Sequence, residues 1–217
     1  KLPCPVRAYI FDDINEGQIE LTVCALNSTF SEVWWFYPSA NSNENNRYVI
    51  YNYVENTWAI GALTRTAWHD RGLFNAPIAA STDGYLYNHE TGQNDGSTNP
   101  PSAITSYIQS SQISIGDGNN FVFLTKLIPD LTFENSISTA PTVDFTLQAR
   151  NFPGGAYLQT DTSGVTQSAT TPVEQFTEQT WIRLRGRSFA VKVESDTTDT
   201  QWRLGTPRVE IRPDGRR

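Results

Sequence analysis

The chain predicts an all-β fold, with partial or complete β-propeller blades followed by an antiparallel β-sheet or sandwich region. Three observations predict it. Trp, Tyr and Phe make up 12% of the 217 residues and recur in short runs with Val, Ile and Thr rather than along a 3.6-residue stripe. Polar clusters rich in Asn, Asp, Gly and Pro separate those runs at short intervals. Finally, EVWWFYPS (Glu32 to Ser39) and RYVIYNYVENTWAIGALTRTAW (Arg47 to Trp68) carry aromatic residues on both strand faces. A sheet of that kind cannot bury its aromatic surface alone and needs radial repetition or a partner.

Taken in order, Val6 to Phe11 and Ile19 to Ala25 read as strands joined by a turn over Asp12 to Gly17. Phe30 to Tyr37 is a third strand, closed by Pro38 and the polar loop from Ser39 to Asn46. Arg47 to Val54 sets Tyr48, Ile50 and Asn52 against Val49, Tyr51 and Tyr53, so bulk on both faces predicts an inner strand. Glu55-Asn56 is expected to form a two-residue turn into Thr57 to Leu63. Ile78 to Ala80 and Tyr85 to Tyr87 flank an Asp-Gly turn and repeat the hairpin. No helix is expected anywhere in the chain.

The stretch Thr91 to Pro101, TGQNDGSTNPP, has no large apolar residue and reads as a linker, which divides the chain into a blade region 1–95 and an antiparallel β domain 101–217. In the second part, strands are expected at Ile104 to Ser110, Phe121 to Phe133, Val143 to Asn151, Thr180 to Leu184, Phe189 to Glu194, Gln201 to Leu204 and Arg208 to Arg212. Val143, Phe145, Leu147 and Ala149 alternate with Asp144, Thr146, Gln148 and Arg150, the period of a sheet with one dry and one wet face. Trp181 to Leu184 and Phe189 to Glu194 flank Arg185-Gly186-Arg187-Ser188 and predict a hairpin. The loops Thr91 to Pro101 and Gly154 to Pro172 are expected to be the mobile ones.

The net charge of -7 and the pI near 4.8 argue against a protein that wraps nucleic acid. Residues 1–180 hold 7 basic and 18 acidic side chains, whereas residues 181–217 hold 9 and 5, so the C-terminal end is a basic patch on an acidic body. No run of 18 apolar residues exists, and no stable membrane association is expected. The chain contains no Met and opens on Lys1, from which a longer natural polypeptide is expected. Cys4 and Cys24 lack metal-binding spacing, and with two histidines in all a zinc site is not expected, nor any other cofactor; inert thiols are favoured over a disulfide.

Catalytic motifs are missing: His69 and His89 stand in no nucleophile–base pattern, and Gly116-Asp117-Gly118 is too short to cradle phosphate. Asp12, Asp13 and Asp70 would suit a glycosidase pair by residue type, but each falls at a predicted turn, where Asp serves the local backbone. No enzyme activity is therefore expected. The residues Trp34, Trp35, Tyr37, Tyr51 and Trp58 are read as the core of a blade, with a sugar- or base-stacking platform as the competing use. Arg183, Arg185, Arg187, Lys192, Arg208, Arg212, Arg216 and Arg217 form the candidate interface, because arginine at strand tips suits carboxylates of another chain or phosphate.

The string from Glu32 to Gly61, with its NYVENTW hairpin, then TRTAW (Thr64 to Trp68) and the ending from Phe176 to Arg217 with WRLG and PDGRR, resembles the tail nozzle or tail hub proteins of short-tailed double-stranded DNA phages, of the packaged-DNA stabilisation or tail tubular type. The resemblance covers most of the chain. It implies a homo-oligomeric ring, sixfold, located in the virion tail below the portal and adaptor, through whose lumen the genome leaves. The partners it implies are further copies of the chain, tail adaptor proteins, tail fibre, spike or needle proteins, and the passing genomic DNA; no catalytic residues come with it. Only about two blades are readable before Gly92, so closure of a propeller is expected to need residues or chains beyond these. A glycan-binding or glycan-degrading tail protein and a host-cell propeller for protein binding are the competing expectations.

Overall fold

The computed structural model describes residues 2–116, 118–152 and 167–215. It is dominated by antiparallel strands and divides into two compact units, Lys1–Thr91 and Gly92–Arg217.

The first unit opens with a helix, α1 (Arg7–Asp13), and a 3-10 helix over Glu16–Leu21. Both correct the expectation of strands there. The segment has no neighbouring strand to complete a ladder, so its N–H groups turn inward, Ile10 N to Val6 O at 3.1 Å and Ile14 N to Ile10 O at 2.9 Å. Arg7 lies 5.6 Å from the Phe11 ring, a pairing that helical spacing permits. Four strands follow, β1 (Val23–Asn27), β2 (Glu32–Tyr37), β3 (Arg47–Asn52) and β4 (Thr57–Ala62), in the order β1-β2-β3-β4. They make one up-and-down meander with β3 inside it.

The β3–β4 connection has four residues rather than two. Asn52 Oδ1 accepts from Val54 N at 3.0 Å and Glu55 N at 2.9 Å, and Asn56 takes a φ of 56°, so an Asx turn sets the loop length. Strands β5 (Ala67–His69), β6 (Ile78–Ala80) and β7 (Leu86–Asn88) form a second, three-stranded sheet whose β6–β7 turn carries Gly84 at a φ of 85°. One face of the meander supplies Ala25, Trp34, Phe36 and Ile50 to a core that also takes Tyr48, Leu63 and Trp68.

The second unit comprises β8 (Asn94–Asp95), β9 (Ser102–Ala103), β10 (Ser106–Gln109), β11 (Ile113–Ser114), β12 (Val122–Ile128), β13 (Leu131–Thr132), β14 (Thr142–Arg150), β15 (Ser168–Glu174), β16 (Thr180–Gly186), β17 (Ser188–Ser195), β18 (Arg203–Leu204) and β19 (Arg208–Pro213). The predicted linker is part of this unit. Its first residues are bound, with Asn94 Nδ2 donating to Asp199 Oδ1 and Asp199 N donating to Asn94 Oδ1, both at 2.7 Å.

Two sheets face each other across the main core. One has the order β10-β17-β14-β15 with β11 also on β17; the other is β16-β12-β19. Val143, Phe145, Leu147, Ala149, Phe189 and Val193 from the first meet Val122, Leu124, Leu127, Ile182 and Leu184 from the second. A bulge between Leu124 and Lys126 lets Leu124 and Leu127, three residues apart, both point inward.

The expected β16–β17 hairpin does not form. β16 pairs with β12 and β17 with β14, and Arg187 alone carries the chain from one sheet to the other. Gly186 sits at this corner: a Cβ there would lie 2.8 Å from Ala149 Cβ and 3.2 Å from Arg150 O, so only glycine lets the strands approach this closely. Of the loop expected over Gly154 to Pro172, residues 154–166 lie outside the described residues, and Ser168 to Pro172 belong to β15, an edge strand whose Pro172 is tolerated for that reason.

Candidate interface

The three-stranded sheet β16-β12-β19 turns one face to the core and the other to solvent. Register defines the outer face: Lys126 on β12 lies between Trp181 and Glu210, Phe123 lies between Arg185 and Arg212, and Ile128 lies opposite Arg208. Arg183 lies between Trp181 and Arg185 on the same face, because Ile182 and Leu184 point inward. Five cations therefore share one sheet face with two carboxylates, Glu210 and Asp214. Trp181 stands among them 73% exposed.

These cations are not equally committed. Arg185 pairs with Asp214 and also lies 3.9 Å from the centroid of the Phe121 ring, which Arg187 meets at 4.6 Å. Lys126 and Arg212 each reach Glu210 at 3.2 Å, and these donors hold the Glu210 carboxyl below its ordinary range. Arg183 and Arg208 are exposed and make no side-chain hydrogen bond, ion pair or ring contact with any described residue.

Lys192 does not belong with them. It lies on β17, on the solvent face of the opposite sheet, where it pairs with Glu194 at 2.5 Å and lies 5.0 Å from the Tyr107 ring. The period-2 phase of β17, with Phe189 and Val193 inward, forces that outcome once the β16–β17 hairpin is absent. Arg187 is held at the corner between the sheets, and Arg216 and Arg217 lie outside the described residues.

In the first unit, the aromatics expected to form a blade core divide between the two faces of the meander. Trp34 is buried, with Tyr48 at 4.9 Å and Trp68 at 5.5 Å between ring centroids, and its Nε1 donates to Glu32 Oε2 at 2.9 Å. On the other face Tyr51 and Tyr37 are buried, while Trp35 and Trp58 stack at 6.2 Å and stay half-buried. Burial, with the Asp13 charge beside it, pushes the Tyr37 phenol up to about 12.

His89, Asp13 and Asp70 each bond a neighbouring residue. Burial and then the neighbouring Arg65 push His89 down to about 4, and its Nε2 accepts from Arg65 Nε at 2.8 Å. Asp13 closes on Arg47 at 3.5 Å, at the end of a helix rather than in a turn. Asp70 accepts from Ser28 N at 3.2 Å and Arg71 N at 2.8 Å; slight burial works against them, but these donors lower its carboxyl. Cys4 and Cys24 are free thiols. Among the described residues no three His, Cys, Asp or Glu side chains are grouped to hold a metal. A recess of about 30 Å³ lined by Thr132, Glu134, Asn135, Gln201, Trp202 and Arg203 has room for one water-sized group.

What the arrangement can do chemically is bind through charge and aromatic surface. Guanidinium groups that are unpaired among the described residues present fork-shaped donors to carboxylate or phosphate, and an exposed indole adds apolar contact area. No protein-family model matches this chain, and no curated protein matches it in sequence.

Proposed function

We propose that this chain is a structural component of the tail of a short-tailed phage, forming an oligomeric ring, sixfold, that retains packaged DNA and conducts it outward. The observation that carries the reading is the outer face of β16-β12-β19: Arg183 and Arg208, unpaired among the described residues, share that face with an exposed Trp181, in a chain whose net charge is -7. Such a face is suited to an acidic protein surface, as a subunit of an assembly requires. The likeness of Glu32 to Gly61 and of the C-terminal segment to tail nozzle and tail hub proteins supports the same reading.

In this reading the β1–β4 meander is one blade of a propeller completed by residues or chains beyond these. The chain's net negative charge suits a conduit, since an acidic wall repels phosphate where a basic one would hold it by counterion release. Further copies of the chain, tail adaptor proteins, and fibre, spike or needle proteins are the proposed partners. Electron microscopy of the purified chain, with light scattering for mass, tests the proposal: closed rings are expected, and a monomer at every concentration refutes it.

A second reading rests on the half-buried Trp35–Trp58 stack, which could receive a sugar ring. Glycan binding that is lost in Trp58→Ala, from a protein that forms no ring, would favour a glycan-binding tail protein instead.

A further inference from the structure

The first unit contains a segment that fits the basic sheet face. Helix α1 and the 3-10 helix that follows it contain no buried residue at all. A helix of 7 residues is marginal in water by itself and is normally stabilised by burying one face. This one leaves Tyr9 48% and Phe11 60% exposed, and the 3-10 helix leaves Ile19 48% exposed. Its charge is one-sided as well: Asp12, Asp13, Glu16 and Glu20 stand against Arg7 alone, and Asp12, Glu16 and Glu20 are exposed.

The base of the segment is nevertheless fixed. Asp13 pairs with Arg47, Asn15 N donates to Pro38 O at 3.0 Å, and Asn45 Nδ2 donates to Leu21 O at 2.7 Å. It is therefore a held, acidic and apolar projection, and the face around Trp181 is basic and apolar.

We propose that Arg7–Leu21 of one copy docks on the outer face of β16-β12-β19 of the next copy, with its carboxylates on Arg183 and Arg208 and its aromatic residues against Trp181. The occupant is a second copy because the complementary charge lies in this chain: residues 1–91 hold 10 acidic and 5 basic side chains, whereas the sheet face holds Arg183 and Arg208, unpaired among the described residues. Two different surfaces meet, so the contact is heterologous, and repetition of a heterologous contact yields a ring when the rotation closes. The inference rests on the ring reading and names the contact that builds the ring.

The test uses the full chain and two charge-reversed variants, Arg183→Glu with Arg208→Glu, and Asp12→Lys with Glu16→Lys. All four positions are exposed. Sedimentation velocity across a concentration series is run for each alone and for the two mixed, with circular dichroism melting as a control on folding. Each variant alone is expected to self-associate at least about tenfold more weakly than the parent, and raised salt should weaken the parent in the same direction. Mixing the variants restores opposite charges at every contact and is expected to restore the parental assembly. An assembly unchanged by either reversal, or weakened but not restored by mixing, overturns the proposed contact and leaves the ring standing. A parent that stays monomeric throughout overturns the ring reading and the contact together.

Discussion

Replacing Gly186 by Ala tests how the two sheets of the second unit are joined. The added methyl would lie 2.8 Å from Ala149 Cβ, with Arg150 O at 3.2 Å and Arg150 N at 3.4 Å, and none of these is the free end of a flexible side chain. Ala149 is fully buried near the C-terminal end of β14, so the strands must move apart. Overpacking of this kind costs about 1–3 kcal/mol. Reduced freedom of the unfolded chain returns about 0.4–1 kcal/mol, which leaves a net loss centred on about 1.3 kcal/mol and no larger than about 2.6 kcal/mol. With a urea dependence of about 1–3 kcal/mol/M, the central loss should lower the unfolding midpoint by about 0.4–1.3 M at unchanged slope. Ala149→Gly alone should also destabilise, since it gives up a buried methyl and loosens a strand. The double variant should be more stable than the sum of the two losses predicts, by about 1 kcal/mol, because the closest of these clashes needs both methyl groups. A Gly186→Ala protein as stable as the parent, or strictly additive losses, would refute the crossover geometry.

His89 should give the first unit a pH dependence. Its ordinary value of 6.5 falls to about 4 in the folded state, so between those values the unfolded chain binds the proton and the folded one does not; stability should be level above pH 6.5 and decline towards pH 4. Discounted for partial exposure, the loss is about 1–2 kcal/mol. His89→Gln keeps an acceptor for Arg65 and should flatten that part of the urea-midpoint profile; an identical slope in both proteins would count against the assignment. Gly61→Ala would place a Cβ 2.3 Å from the Tyr48 ring and drive it off Trp34, so the near-ultraviolet circular dichroism should weaken, and superimposable spectra would contradict the packing. Phe145→Ala, at a fully buried site, should cost about 3–5 kcal/mol in guanidinium unfolding, and a loss below about 1 kcal/mol would mean the core is not centred there.

How much was legible in the sequence varied with the physical origin of each feature. The strands holding Trp34, Tyr51 and Phe145 show a bulky or alternating pattern that no other structure accommodates, and they stand close to where the residues place them. Residues 6–11 misled because Val6, Tyr9, Ile10 and Phe11 favour strands, whereas the absence of a neighbouring strand decided for a helix. The short stretch between Leu184 and Phe189 looked like a hairpin, since two apolar runs around a glycine usually are one. Only long-range pairing reveals that they enter different sheets, although a single connecting residue is already shorter than the two a hairpin needs. The same pairing decides the interface residues. Arg183 and Arg185 share a face by strand period alone, but Arg208 and Arg212 reach it only through β12, and Lys192 is carried to the far side. The acidic character of residues 12–20 was visible, while their lack of burial was not.

One edge strand of the arginine-bearing sheet, β19, ends in Arg-Pro, and Pro213 has no N–H to offer an incoming chain. Cationic side chains at Arg208 and Arg212 further discourage main-chain growth along that margin. At the β19 edge, attachment by strand addition is thus disfavoured where attachment through side chains is open. A joint built that way carries no continuous backbone ladder, so ionic strength can tune it and it can separate without unfolding either member.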